Sequence, residues 1–333
     1  MNNKIFTVIG GGTGTFSILN GLKKYSDHIN AVVTMADSGG SAKKERDEWG
    51  LLPNSDIRKS LIALADISTK DSHLLRQLFQ YRYSNQKGIS GMTFGNLFLA
   101  TLTKLLKSQK KAIEKAGDLL NIKGKVLPVT MDKINLKAVY EDASVIIGEH
   151  FIDEPLHDGR LAITNLSTQP QAKATKDVIQ AIIKSDYLII GPGGFYTTIL
   201  ANLVIDGVAD AIRKSKAKKI FIMNLMTEYG QTYGFTASRF ITELNKYLDS
   251  NLLDYVVINN KSIPDKIIKR YKKYHAQPVI NDLNSSVKFK IIEDDLISSD
   301  LIRRVKGDKL HRSLIRHDPD KLACICMKIL NLL

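Results

Sequence analysis

The feature that most constrains the fold is a short apolar run ending in a glycine-rich turn. Residues Ile5 to Ile9 form the run, and Gly10-Gly11-Gly12-Thr13-Gly14 follow at once. Apolar residues at helical spacing come next, and Ala31 to Thr34 has the composition of a second buried strand. A strand, turn, helix and strand in this order form the building unit of parallel sheets, so the chain is predicted to be an α/β protein.

The turn at Gly10–Gly14 is suited to binding an anion. Glycines permit positive φ and close backbone approach, and the helix that follows directs N–H groups and a positive dipole end at one point. Thr15 occupies the third glycine position of the dinucleotide fingerprint, and no Gly-Lys-Ser/Thr follows as in a Walker loop. The alternative is a tight turn with a purely structural role.

A second glycine turn occurs far along the chain. The apolar run Tyr187 to Ile190 leads into Gly191-Pro192-Gly193-Gly194, and a helix containing Tyr196 and Thr197 follows. Two such turns on one parallel sheet would lie along its carboxyl edge, where open α/β sheets bind ligands. This coincidence is the strongest internal argument for a shared phosphate site.

An acidic residue follows the second strand. Asp37-Ser38-Gly39-Gly40-Ser41 comes directly after it. Asp37 could accept a hydrogen bond from a ribose hydroxyl, hold a Mg²⁺ ion beside phosphates, or simply cap the glycine turn. The sequence does not decide among these three roles.

Further polar candidates follow other predicted strands or begin helices. Asp56 and Arg58 could face one cleft, with Arg58 gripping a phosphate, although Asp56 or its neighbour Ser55 could equally be a helix cap. Asn224 and Thr227 follow a third strand. Aromatic residues near these loops could stack on a base or pack in the core, and these are Tyr196, Tyr233 and Phe235.

The pattern predicts one domain over residues 1–333 with a largely parallel sheet. Residues 125–165 differ, because Val126-Leu127, Ala138–Tyr140 and Ser144–Ile147 look like short strands separated by polar turns. We therefore predict a small β insertion there. A closing helix is expected to begin near Asp318, a favourable cap before Pro319.

Composition limits the class of partner. The chain has 48 Lys and Arg against 34 Asp and Glu, a formal charge of +14, which favours anionic partners. No RNA-binding aromatic motif accompanies the basic residues, so no nucleic acid is expected. No apolar stretch approaches a membrane span or a signal peptide, so we expect a cytoplasmic protein. No nucleophile–base pair or metal motif occurs at a telling spacing.

The ordered motifs resemble the YvcK-like gluconeogenesis factor family, related to the CofD-like phospholactate transferases. The resemblance runs from the first glycine turn through Asp37–Ser41 and Leu52–Arg58 to Gly95-Asn96-Leu97. It continues through Gly124–Pro128, Gly191-Pro192-Gly193 and Asn224–Thr227 to His317–Ala323.

The resemblance implies a Rossmann-like three-layer fold and a UDP-activated sugar or another nucleotide as ligand. It links the chain to gluconeogenic growth, cell shape and cell-wall synthesis, and no catalytic activity is established for the family. The two glycine turns would hold phosphates, with polar contacts from Asp37, Asn96 and Asn224. We also expect a homo-oligomer and cell-wall or metabolic partner proteins.

Departures from the family pattern favour binding over catalysis. Ser38 replaces a usual second aspartate, Gly194 a usual serine and Met92 a usual histidine. A phosphate site formed by backbone N–H groups tolerates such substitutions better than a catalytic site formed by side chains does. The alternatives are a CofD-like transferase with a nucleotide-activated donor, and an NAD-binding oxidoreductase.

Overall fold

The computed structural model describes residues 3–84, 88–284, 286–299 and 314–331. The first part of the chain contains β1 (Phe6–Gly10), α1 (Gly12–Leu22), β2 (Ile29–Val33), α2 (Gly40–Asp47), α3 (Ser55–Leu64), α4 (Lys70–Gln80), α5 (Phe94–Leu106), α6 (Gln109–Leu119), β3 (Lys125–Pro128), β4 (Asn135–Tyr140), β5 (Val145–Ile147) and α7 (Glu149–Asp153). The second part contains β6 (Ile163–Gln169), α8 (Lys176–Lys184), β7 (Tyr187–Ile190), a π-helical turn (Phe195–Leu200) that continues into α9 (Ala201–Leu203), α10 (Val208–Lys214), β8 (Lys218–Ile222), α11 (Ala237–Leu248), β9 (Tyr255–Asn259), α12 (Asp265–Lys272), β10 (Lys290–Asp294) and α13 (Pro319–Ile329).

The main sheet has seven parallel strands in the order β10-β9-β8-β7-β1-β2-β3. Its central strands are almost entirely apolar, and every residue of β1 is buried. Strands covered on both faces have this continuous apolar character, because helices pack above and below the sheet. The predicted α/β fold with a mostly parallel sheet is therefore confirmed.

The strand order reverses direction at one place. From β1 the chain proceeds outward to β2 and β3, and it later returns to place β7 on the other side of β1. Such a switch point opens a crevice at the carboxyl ends of the two strands, because the connections leave in opposite directions. Both predicted glycine turns follow these two strands.

A small antiparallel sheet, in the order β5-β4-β6, lies outside the main sheet. Its strands fall within residues 135–169, so the predicted bounds of 125–165 need correction. Val126 and Leu127 belong to β3 and pair in parallel with β2 in the main sheet. The error arose because a four-residue edge strand and a hairpin strand have the same local pattern.

The last helix, α13, begins at the N-cap that the sequence predicts. The Asp318 side chain accepts hydrogen bonds from the N–H groups of Asp320 and Lys321 at 2.9 and 3.0 Å, as expected of the predicted cap.

Among the described residues, no helix combines the length and apolar character needed to cross a membrane.

Candidate functional site

The two glycine turns lie against each other at the switch point between β1 and β7. A methyl group added at Gly14 would lie 2.5 Å from the carbonyl oxygen of Pro192. One added at Gly193 would lie 3.2 Å from the carbonyl oxygen of Gly11. No side chain fits at Gly14 without moving the opposite backbone, so close packing of the turns requires glycine there.

Thr15 fastens the two turns together. Its buried Oγ1 accepts a hydrogen bond from the N–H of Gly11 at 2.7 Å and donates one to the carbonyl oxygen of Pro192 at 3.2 Å. The residue that breaks the dinucleotide fingerprint is thus a link within the paired turns.

The first turn presents an uncapped helix end. Gly12 opens α1 with a φ of +68°, a conformation that favours glycine, and Gly11 before it has no side chain to cap the helix. The leading N–H groups of α1 therefore point outward with the positive end of the helix dipole. Gly12, Thr13 and Gly14 are partly exposed, so an anion can reach them from solvent.

Hydrogen bonds from Asn202 and Thr198 hold the second turn in place. Asn202, fully buried, donates from Nδ2 to the carbonyl oxygens of Gly10 at 2.8 Å and Thr198 at 2.6 Å. Thr198 in turn donates from Oγ1 to the carbonyl oxygen of Gly194 at 2.8 Å. Gly193 and Gly194 remain partly exposed at the surface of the turn.

The remaining residues of the second turn point inward. Gly191 and Pro192 are buried, and Thr197 is buried with its hydroxyl against Gly194. Tyr196 is fully buried, and its hydroxyl lies 3.4 Å from both the carbonyl oxygen of Ile163 and Oε2 of Glu243. The structure therefore favours core packing over base stacking for Tyr196.

Three carboxylates converge beside the first turn, and we call Asp37, Asp56 and Glu149 the acidic flank. Asp56 lies against Gly11, where an added methyl group would lie 2.6 Å from its Oδ2, and its Oδ1 pairs with Nζ of Lys59 at 2.7 Å. Oδ1 of Asp37 accepts from the N–H of Gly39 at 3.0 Å, so the turn-capping role that the sequence left open is present.

The third carboxylate reaches the flank from the small sheet's side of the molecule. Glu149 begins α7, and its Oε2 accepts from the N–H of Ser38 at 3.4 Å. Oγ of Ser38 accepts from the N–H of His150 at 3.0 Å, and the His150 side chain lies against Gly39. Gly40 begins α2, while the Ser41 side chain lies outside the described part of the structure.

The like charges of the acidic flank disfavour full ionisation. Burial, followed by the charge of Asp56, raises the pKa of Asp37, although Lys59 opposes the shift. Burial and the neighbouring Asp37 carboxylate hold the pKa of Glu149 well above its usual range. A cation or hydroxyl donors placed here would relieve this repulsion.

The acidic flank fits a shared Mg²⁺ ion better than an independent metal centre. Within the described ranges, no group of three or more acidic, histidine or cysteine side chains is arranged to hold a metal. Mg²⁺ is commonly held by one or two carboxylates together with phosphate oxygens and water. Asp37 and Asp56 could serve in this way only beside a bound phosphate.

Arg58 and Asn96 lie in a buried network instead of against the turns. Nε of Arg58 donates to Oδ1 of Asn96 at 2.9 Å, and Nδ2 of Asn96 donates to Oε1 of Glu45 at 2.7 Å. Residues two apart on a helix point to different sides, so Asp56 and Arg58 do not face one cleft as expected. Burial raises the pKa of Glu45 to about 7.

Asn224 contacts the turns, whereas Thr227 does not. Nδ2 of Asn224 donates to the carbonyl oxygen of Gly193 at 2.8 Å, and its Oδ1 is buried without a hydrogen-bond partner among the described residues. Thr227 exchanges two hydrogen bonds with Gln277, at 2.8 and 3.0 Å. Its role is to hold the segment after β8 in place.

A cavity of about 350 Å³ opens beside Asn224 at the carboxyl ends of β8 and β9. We call it the open flank, because it lies on the side of the turns away from β2. Its wall has both apolar and polar or charged residues, which are Leu225, Ile258, Ile263, Ile268, Pro278, Val279, Asn224, Asn259, Lys261, Ser262 and Asp265. Its volume is at the lower end for sites that hold small molecules.

Several residues of the site were missed from the sequence. Thr198 and Asn202 follow the second turn four residues apart, which is the spacing of one helical face and could have indicated them. Glu149 and Glu45 had no such signal. Glu149 comes from a segment more than 100 residues after Asp37, and only the tertiary fold brings the two together.

The fold is that of a Rossmann-like α/β protein, and its two glycine turns meet at the switch point of the sheet. The sequence profile of the family described as 2-phospho-L-lactate transferase CofD matches residues 6–297. The gluconeogenesis factor of Bacillus subtilis is 34% identical over 325 residues, which are 97% of each chain. That of Halalkalibacterium halodurans is 36% identical over 282 residues, 85% of each chain.

A solved structure agrees with these sequence matches. The crystal structure of a UPF0052 family member from Bacillus halodurans superimposes with a TM-score of 0.87 at 33% identity, covering 98% of this chain and 99% of that one. The chain therefore belongs to the CofD family and, within it, to the gluconeogenesis factors.

Proposed function

We propose that this chain binds a nucleotide-sugar of the UDP type across the paired glycine turns and acts as a regulator. Its outputs would be gluconeogenic carbon use, cell shape and cell-wall synthesis. The observation that carries the proposal is the contact between the turns, because it brings the uncapped end of α1 and the partly exposed Gly193 and Gly194 to one place, where a single ligand could contact both.

Binding without catalysis is supported by how the polar residues are used. The predicted ligand contacts Arg58, Asn96 and Thr227 are engaged with other parts of the protein. The backbone that would hold phosphates is exposed. The named relatives are called gluconeogenesis factors, a name that describes an effect on metabolism and not a reaction.

A second candidate is a CofD-like transferase that uses a nucleotide-activated donor with Mg²⁺. The acidic flank favours it, because carboxylates so close to a phosphate site repel the ligand unless a cation lies between them. Asp37 and Asp56 would hold the Mg²⁺, which would neutralise charge on a leaving phosphate. The family description supports the same possibility.

The test is the thermal stability of the metal-stripped protein with UDP-N-acetylglucosamine, UDP-glucose, GDP, GTP and NAD, each with and without Mg²⁺. A ligand at about 100 times its dissociation constant stabilises the folded state by about 2.7 kcal/mol. A selective shift with UDP-sugars is the expected result. A shift with guanine nucleotides that requires Mg²⁺, together with product formation, would favour the transferase.

Three other outcomes would reject the regulator. Reproducible turnover of a UDP-sugar by pure protein, lost on changing Asp37→Asn, would establish an enzyme. Absence of a shift with every nucleotide would mean that the turns serve packing alone. A shift with NAD only would favour the oxidoreductase alternative.

A further inference from the structure

We infer that the ammonium group of Lys59 takes the place of a divalent cation at the acidic flank, so that a nucleotide-sugar binds the paired turns without Mg²⁺. The inference rests on the proposed function, because it assumes that a phosphate-bearing ligand binds the turns. It adds a residue that decides whether the ligand binds alone or together with a metal ion.

Lys59 lies across the Asp56 carboxylate from the first glycine turn. Its Nζ lies 2.7 Å from Oδ1 of Asp56, and Oδ2 of the same carboxylate would lie 2.6 Å from a methyl group added at Gly11. The Asp56 side chain is only 8% exposed, so its charge is weakly screened by water. Lys59 therefore neutralises a nearly buried carboxylate that borders the phosphate site.

The charge of Lys59 acts on carboxylates from three segments of the chain. Besides pairing with Asp56 in α3, it opposes the rise in the pKa of Asp37, which follows β2, and of Asp153, the last residue of α7. A cation that favours the ionised form of several carboxylates has the electrostatic role of a shared metal ion.

The helix that carries both residues keeps this cation in place. Asp56 and Lys59 are three residues apart on α3, a spacing at which side chains are neighbours on the helix surface. Asp56 lies in the first turn of α3, where the helix dipole also favours a negative charge. Because the pair forms within one helix, the ammonium is present before any ligand arrives.

Arg46 also approaches the acidic flank, but its hydrogen bonds serve another purpose. Nη1 of Arg46 donates to the main-chain oxygen of Asp37 at 3.4 Å, and Nη2 donates to Oδ1 of Asn135 at 2.6 Å. These bonds tie the segment after β2 to the first residue of β4. The guanidinium thus holds the backbone, whereas the Lys59 ammonium pairs with a carboxylate of the flank.

A cation already paired with Asp56 changes how phosphate and metal bind. It reduces the repulsion between the acidic flank and a phosphate on the turns, and it repels a second cation that approaches the same carboxylate. We therefore expect Mg²⁺ to add little to ligand affinity. Removing the ammonium should weaken metal-free binding and leave Asp37 and Asp56 open to Mg²⁺.

Calorimetry of UDP-glucose binding, with Mg²⁺ and with a chelator, tests the inference. The unmodified protein should bind with the same affinity within about twofold in the two conditions. Lys59→Met should lose about tenfold or more in affinity without metal, and Mg²⁺ should restore most of that loss. Lys59→Arg, which keeps the charge, should behave as the unmodified protein does.

Lys115→Met is the matched control. Lys115 also pairs with an aspartate three residues away on a helix, since its Nζ lies 3.6 Å from Oδ2 of Asp118, but both side chains are largely exposed. This variant should bind UDP-glucose as the unmodified protein does in both conditions. Thermal melts of all the variants establish that they are folded.

Electron paramagnetic resonance of Mn²⁺ gives a second readout, in the presence of UDP-glucose. We expect bound Mn²⁺ with Lys59→Met and little with the unmodified protein, Lys59→Arg or Lys115→Met. Equal Mn²⁺ binding by the unmodified protein and Lys59→Met would show that the ammonium does not exclude a metal ion, and would overturn the inference.

The outcomes separate the two proposals. If the unmodified protein binds no UDP-glucose in either condition, the proposed function fails and this inference fails with it. If it binds UDP-glucose only with Mg²⁺, nucleotide-sugar binding stands and the assignment of Lys59 is overturned. Metal-free binding by Lys59→Met at the affinity of the unmodified protein, or a loss that Mg²⁺ does not restore, likewise overturns the assignment of Lys59 alone.

Discussion

The acidic flank and the open flank lie on opposite sides of the same paired turns and have opposite chemistry. The acidic flank brings together Asp37, Asp56 and Glu149, and Lys59 pairs with Asp56. The open flank is a cavity whose wall combines apolar residues with the polar Asn224 and Asn259 and the charged Lys261 and Asp265. The two glycine turns are thus similar to each other, but the side chains on their two sides differ.

This difference shows that the glycine turns alone do not determine which ligand binds. Backbone N–H groups at the end of a helix attract any anion, whatever is attached to it. The flanks supply the distinction, because one side is a cavity of mixed polar and apolar lining and the other is a group of carboxylates that favours cations or hydroxyl groups. We expect selectivity to reside in the flanks and the strength of anion binding in the turns.

The largest effect is expected from Gly14→Ala, which would disrupt the contact between the two glycine turns that lie between the flanks. The added methyl group would lie 2.5 Å from the Pro192 carbonyl oxygen, so the two turns must separate. We expect a loss of about 3 kcal/mol in the free energy of unfolding and loss of pyrophosphate binding. Urea denaturation and calorimetry measure the two effects.

Gly39→Ala is the matched control on the acidic flank. A methyl group there would lie 3.4 Å from Nδ1 of His150, an ordinary contact, and the φ of −93° suits any residue. Its cost should stay below about 1 kcal/mol. Equal destabilisation by the two variants would show that the close approach of the turns is not what sets the requirement for glycine.

Thr15→Val tests the link between the turns with little change in volume. The variant leaves the N–H of Gly11 and the carbonyl oxygen of Pro192 without their buried partner. We expect a destabilisation of about 2 kcal/mol by urea denaturation, while Thr15→Ser, which keeps the hydroxyl, should lose much less. Similar losses in both variants would assign the effect to packing of the methyl group.

Local patterns predicted the parts of the molecule that depend on neighbours in sequence. The closing helix expected near Asp318 is present as α13, and Asp318 is its N-cap. Helix α2 was missed because Gly40–Asp47 carries almost no apolar residue to reveal a buried face. Strand β10 was missed because it is an edge strand with a half-exposed, charged sequence.

The site was less predictable, because its side chains pair across distant segments. The glycine turns were apparent from strand, turn and helix order alone. By contrast, nothing local indicates that Arg58 donates to Asn96, or that Asn96 donates to a buried Glu45. Polar residues near a predicted ligand edge can therefore belong to the framework behind it.

The framework behind the acidic flank should make stability depend on pH. Because burial raises the pKa of Glu45 to about 7, the folded protein keeps this carboxyl protonated after the unfolded chain has ionised it. Its contribution to stability is present below the ordinary glutamate pKa of 4.5 and is lost as the pH rises through about 7. From about pH 5.5 to about pH 7.5 the protein should lose about 2 kcal/mol relative to Glu45→Gln.

Urea denaturation of both proteins at several pH values measures this difference. The comparison with Glu45→Gln is needed because the other buried carboxyls titrate in both proteins and cancel. A constant difference across the range would mean that the Glu45 carboxyl ionises equally easily in the folded and unfolded chains.

The smallest expected effect is the change of ligand affinity with pH, which should differ between the two flanks. Protons compete with a cation for Asp37 and Glu149, whose pKa values are raised, so the Mg²⁺-dependent part of ligand affinity should increase as the pH rises. Metal-free binding of UDP-glucose, whose phosphates have no proton to lose in this range, should change less than about twofold between about pH 5 and about pH 8, because the backbone N–H groups of the paired turns do not titrate. Calorimetry with and without Mg²⁺ gives both values. A steep pH dependence without metal would place the ligand against the acidic flank and remove the distinction between the two sides.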